Sequence, residues 1–131
     1  MNTGIVKLTP ELMSLIASSY SGGAGVMPFT REIFLLDIVV AGTSFCEQIE
    51  EIVPKLAEGT VLKMIRDPKN EHDEMAIAIY YDSVRIGWIP AELNEVISRL
   101  MDAGKAFFCR VVGKTKHGNW NKIKAKVYMV E

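Results

Sequence analysis

From residue 32 onward the chain alternates short apolar runs with polar turns, the pattern of a strand-rich domain. Residues 33–40 form an apolar run broken by Asp37 and predict a largely buried first strand. Ile49, Ile52, Val53 and Leu56 recur at helical spacing within residues 47–58. Pro54 interrupts that run by removing a backbone donor and crowding the preceding turn, so a short or kinked helix is expected. Gly59 ends it, and residues 60–65 read as the next strand. Residues 75–81 are nearly all apolar and predict a central strand, which Asp82 and Ser83 turn into a partner over 84–89. Pro90 opens a helix with Leu93, Val96, Ile97, Leu100 and Met101 on one stripe, and Gly104 stops it. A strand over 105–113, a turn at 117–119 and a strand over 121–130 complete the pattern.

The last strand has the cleanest alternation. Ile123, Ala125, Val127 and Met129 take one face, while Trp120, Lys122, Lys124, Lys126 and Tyr128 take the other. Lysines between aromatic rings suit a nucleic-acid strand, because lysine neutralises phosphate and rings stack on bases of any identity. The same face also reads as a solvated exterior on which lysine discourages edge-to-edge aggregation.

Residues 1–30 look separate. Thr9 is a candidate N-cap with Pro10 behind it, opening a short helix over 11–17 with Leu12, Leu15 and Ile16 as its apolar stripe. Residues 18–25 are rich in Gly and Ser and read as a linker. They lack the Gly-Lys-Ser/Thr that a phosphate-binding loop requires. The division expected is therefore 1–30, helix and linker, and 31–131, the main domain.

Composition adds modest constraints. At 131 residues, 49% hydrophobic and 24% charged, the chain suits one globular domain with its own core. The formal net charge of −1 hides an uneven distribution. Residues 103–130 carry seven Lys and Arg and no acid, whereas acids crowd 47–58 and 67–74. Cys46 and Cys109 have no zinc-ligand spacing, which fits a reduced cytoplasmic setting. No secretory leader or membrane-length apolar run is seen, and no cofactor or metal is implied.

The densest polar chemistry runs from Arg66 to Asp73, Arg-Asp-Pro-Lys-Asn-Glu-His-Asp. Asp67, Pro68 and Asn70 account for a reversal of direction. They leave Glu71, His72, Asp73 and Glu74 unexplained. Arg66, Asp67, Pro68, Asn70, Asp73, Ala76 and Ile77, with Gly87 and the helix after Pro90, resemble the HIRAN domain over residues 33–130. That domain stands at the front of Swi/Snf-type DNA-repair ATPases and also occurs as a free-standing bacterial protein.

The resemblance implies a mainly β, α+β fold: a small OB-like barrel of five to six strands with one well-defined helix. It also implies capture of single-stranded DNA at a free 3′-hydroxyl end. Phe45, after Gly42, falls where a base-stacking aromatic is expected, and Asp73 falls on the hydroxyl acceptor. Asn70 sits on the turn facing the nucleotide, and Trp120 aligns with a second stacking ring. Two departures stand out: His72 replaces a tyrosine, and Ser44 replaces an arginine that would contact phosphate. Lys122, Lys124 and Lys126 are candidates to compensate. Arg66 reads either as a phosphate contact or as a structural partner of Asp67 or Asp73, and Asp73 itself as a turn cap. Trp88 reads as core.

Other classes are weighed against this one. A metal-dependent nuclease would draw ligands from Glu71, His72, Asp73 and Glu74, although four adjacent residues cannot all face one ion. Serine or cysteine hydrolysis would rely on His72 or His117 without a recognisable nucleophile turn. A protein-binding domain would use a barrel edge and the N-terminal helix, as a monomer or weak dimer. No ATPase motif is present, so motor activity requires a partner chain, an ATPase or a nuclease.

Overall fold

Six antiparallel strands form one sheet in the order β1-β6-β5-β2-β3-β4. They are β1 (Glu32–Val39), β2 (Val61–Arg66), β3 (Ile77–Tyr81), β4 (Val84–Trp88), β5 (Ala106–His117) and β6 (Trp120–Val130). The computed structural model describes residues 31–131, so the helix expected over 11–17 and the linker over 18–25 lie outside the described residues.

The sheet closes on itself. Just past β1, Ala41 N donates to Trp88 O and Trp88 N donates to Ala41 O, both at 2.9 Å. This reciprocal pair joins the two end strands and makes the OB-like barrel. Closure depends on Gly87, since a Cβ there would lie 2.4 Å from Ala41 O and 2.6 Å from Val40 Cγ1. The barrel interior holds Val40, Leu62, Ile77, Ile79, Ile86, Phe107, Val111, Ile123 and Val127. Ile123, Ala125 and Val127 point inward from β6 as the alternation predicts, with the lysines outside.

One element agrees with the sequence reading, a short interrupted helix around Pro54, and two depart from it. The proline-interrupted run becomes one helical turn, α1 (Ile49–Ile52), continued by a 3-10 turn over Val53–Lys55 with Pro54 inside it. β5 runs on to His117 through an irregularity between Val111 and Gly113, and only Gly118 and Asn119 remain as the hairpin turn.

The helix after Pro90 is also divided. A 3-10 turn over Ala91–Leu93 precedes α2 (Glu95–Asp102), with Asn94 between them. Val96 is 70% exposed, while Asn94 and Ser98 are buried. The buried face is thus rotated from the apolar stripe. The reason is polar: Asn94 Nδ2 bonds Asp73, and Ser98 Oγ donates to Met75 O. Buried side chains satisfied in this way hold the helix against the loop before β3. Among the described residues no helix is long and apolar enough to cross a membrane.

Candidate nucleic-acid interface

The loop between β2 and β3 builds its shape from its own polar groups. Asp67 N donates to Ala76 O at 2.9 Å and closes its base. Asn70 Oδ1 accepts from His72 N at 2.8 Å and Asp73 N at 3.1 Å, and Asn70 Nδ2 donates to Asp67 Oδ2. This is the local bonding that favours Asn and Asp in turns. Asp73 Oδ1 accepts from Met75 N at 2.9 Å and Oδ2 from Asn94 Nδ2 at 2.8 Å. These donors, Asn94 first, hold the Asp73 carboxyl below its usual pKa. His72 is exposed on the same loop.

Arg66 secures the loop from below. Its Nη1 donates to Ala76 O and its Nη2 to Glu74 O, while Nε and Nη2 grip Asp102 at 2.9 and 3.2 Å. Its acidic partner is therefore Asp102 of α2, neither Asp67 nor Asp73. With four bonds made inside the protein, Arg66 positions the loop.

Phe45 lies on the other side of β4. It ends a 3-10 turn over Thr43–Phe45 and is 80% exposed. The turn is fixed at two points. Gly42 takes φ +72, and a Cβ there would come within 2.8 Å of the Trp88 ring. Thr43 Oγ1, buried, donates to Asn121 O on β6 at 2.9 Å. The ring is thus presented to solvent from a rigid base.

Trp88 is paired with Ala78 of β3 on one side and with Ala41, ahead of the Phe45 turn, on the other. It is half-buried rather than core, because it forms the wall of a shallow open groove of about 450 Å³. Phe45, Glu47, Gln48 and Arg85 line the same groove. The Arg85 guanidinium lies 4.7 Å from the centroid of the Trp88 ring. Trp88 Nε1 is buried without an acceptor among the described residues, a cost of about 1–3 kcal/mol for such a group. Sequence reasoning missed Arg85 and the place of Trp88 in the groove wall. Both follow from barrel closure, which no local spacing reveals.

The β6 side is less uniform than its alternation suggests. Trp120 is partly exposed beside the Thr43–Asn121 bond, with the His117 ring 5.7 Å away. Lys126 Nζ bonds Asp37 Oδ1 at 2.8 Å and lies 4.7 Å from the Phe34 ring centroid. Lys122 and Lys124, on the same outer face, make no ion pair among the described residues. The acidic stretch is partly neutralised, since Lys116 and Asn121 bond Glu50 and lower its pKa. Glu71, His72, Asp73 and Glu74 do not converge: among the described residues no three metal-ligating side chains gather.

A closed six-stranded barrel that carries an aromatic-walled groove and a self-bonded polar loop between β2 and β3 defines the class. The chain belongs to the HIRAN domain family, whose model matches residues 33–131. It is 31% identical over 106 residues to a Fanconi-associated nuclease 1 homolog of Oryza sativa subsp. japonica, covering 77% of this chain. The match spans 10% of that relative's length. Among solved structures, a protein from Lactobacillus plantarum shares the fold with a TM-score of 0.71 at 19% identity, over 78% of this chain and 98% of that one. The HIRAN domain of human HLTF matches with a TM-score of 0.59 at 17% identity, over 76% of this chain and 78% of that one.

Proposed function

We propose that this chain is a non-catalytic module that binds single-stranded DNA at a free 3′-hydroxyl end, serving DNA repair or replication-stress processing. Family membership supports a DNA-binding module in general. The observation that carries the finer reading is Phe45, a large apolar ring held 80% exposed on a turn anchored at Gly42 and Thr43. A ring kept in water on a rigid base is suited to stack on a base, a contact worth about 1–3 kcal/mol. His72 and Trp120 are the further stacking candidates.

Asp73 suits the hydroxyl. Each carboxylate oxygen accepts one protein hydrogen bond, and a carboxylate has about four acceptor sites, so capacity for a sugar hydroxyl remains. Arg66 and Asn70 act through the loop they hold. Lys122 and Lys124 supply long-range attraction for phosphate, with Lys126 contributing less because Asp37 neutralises it. The nuclease named among the relatives fits a partnership in which this module presents DNA ends to a nuclease or ATPase chain.

The test is Phe45→Ala, titrated against labelled single strands of about ten nucleotides, within the usual site size of such binders. Loss of about tenfold or more in affinity, with an unchanged thermal midpoint, supports the reading. Wild-type affinity in the variant removes Phe45 from the interface and the reading with it.

A further inference from the structure

We propose that Arg85 is the phosphate-holding residue of the Phe45–Trp88 groove, a role that rests on the groove's being a single-strand site. Arg31 pairs with Glu131, Arg66 with Asp102, Arg99 with Glu95 and Arg110 with Glu32. Arg85 is the arginine with no carboxylate partner among the described residues, and it is exposed. An unpaired guanidinium keeps its planar fork of donors free, the geometry that matches two phosphate oxygens at once.

Arg85 and Phe45 line one groove, although they come from β4 and from the turn after β1. The guanidinium rests 4.7 Å from the Trp88 ring centroid, so the indole limits its freedom before any ligand arrives. The Phe45 turn itself brings no cation: Gly42, Thr43, Ser44 and Cys46 are uncharged, and Glu47 on the groove is acidic. A strand stacked on Phe45 therefore meets its positive charge from the opposite wall. Glu47 opposes phosphate entry, which makes the Arg85 charge more consequential there.

The lysines of the β5–β6 hairpin are placed differently. Lys114 and Lys116 are spent on Val53 O and Glu50, and Lys126 on Asp37. Lys122 and Lys124 have no ion pair among the described residues but lie on the outer face of β6, outside the groove lining. Their attraction is general, whereas that of Arg85 is local to the stacking ring.

The experiment measures salt dependence of the full chain binding a labelled oligothymidine of about ten nucleotides, by anisotropy. Wild type is compared with Arg85→Gln, Arg85→Lys and Arg99→Gln, the last removing a charge on α2 away from the groove. Arg85→Gln is expected to lower the slope of log affinity against log salt by about 0.7, the loss of one phosphate contact. Arg85→Lys keeps the slope and loses affinity, because the charge survives without the fork. Arg99→Gln matches wild type. A wild-type slope in Arg85→Gln overturns the assignment while leaving the single-strand reading intact. Absence of binding by wild type overturns the single-strand reading itself.

Discussion

Asn94 donates from Nδ2 to Asp73 Oδ2 at 2.8 Å, tying the loop before β3 to the entry of α2. The donor is 3% exposed, so its loss leaves a polar cavity and a carboxylate short of a partner. Asn94→Ala is expected to cost about 1–3 kcal/mol at neutral pH in urea unfolding.

The same contact sets a pH dependence. Asp73's carboxyl is held below its ordinary value of 3.8, first by Asn94 and then by Met75 N–H. Its contribution to stability is complete above the unfolded pKa of roughly 3.9 and drains away as pH falls through the lower folded value. The gap between wild type and Asn94→Ala should therefore narrow as pH falls below the ordinary value of 3.8. A gap that stays constant to lower pH means that the contact does not depend on the charge.

Gly87 is a second point of failure. A methyl at this position meets Ala41 O at 2.4 Å, and backbone cannot step aside cheaply. Gly87→Ala should cost about 3 kcal/mol or more, or prevent folding. Amide exchange locates the damage: Ala41 and Trp88 lose protection first if closure is what the glycine permits. Uniform loss across the barrel contradicts that role.

The two cysteines should differ sharply in reactivity. Burial pushes the Cys109 thiol up to about 12, whereas Cys46 is half-buried and lines the groove. Native protein is expected to take one equivalent of a thiol reagent, with the second taken only on unfolding. Bound single-stranded DNA should slow the first. Labelling that ignores DNA places the strand elsewhere.

The lysines of β6 are separable. Lys122→Gln with Lys124→Gln should lower the salt slope by up to about 1.4, two phosphate contacts, while Lys126→Gln alone changes it little. Equal effects from all three contradict the pairing of Lys126 with Asp37 as the reason for its lesser role.

Much of this was legible in the residues. The alternation of β6 gave its inner and outer faces, and the Arg66–Ile77 spacing gave the loop and the family. What stayed hidden depends on distant partners. Asn94 and Ser98 turn inward because Asp73 and Met75 O await them, which no hydrophobic periodicity encodes. Arg66 finds Asp102 rather than either nearby acid, since α2 packs beside β2. Lys126 is neutralised by Asp37 from β1, which β6 meets only through the sheet. Arg85 and Phe45 share a groove because Ala41 pairs with Trp88, and closure of a barrel is not written in any local run.

The central claim is end recognition, and one titration addresses it. Labelled single strands of about ten nucleotides with a free 3′-hydroxyl are compared with the same strands ending in 3′-phosphate, for wild type and Asp73→Asn. The account predicts that wild type prefers the free hydroxyl by about tenfold or more, and that Asp73→Asn loses the preference. Equal affinity of wild type for both ends contradicts the account.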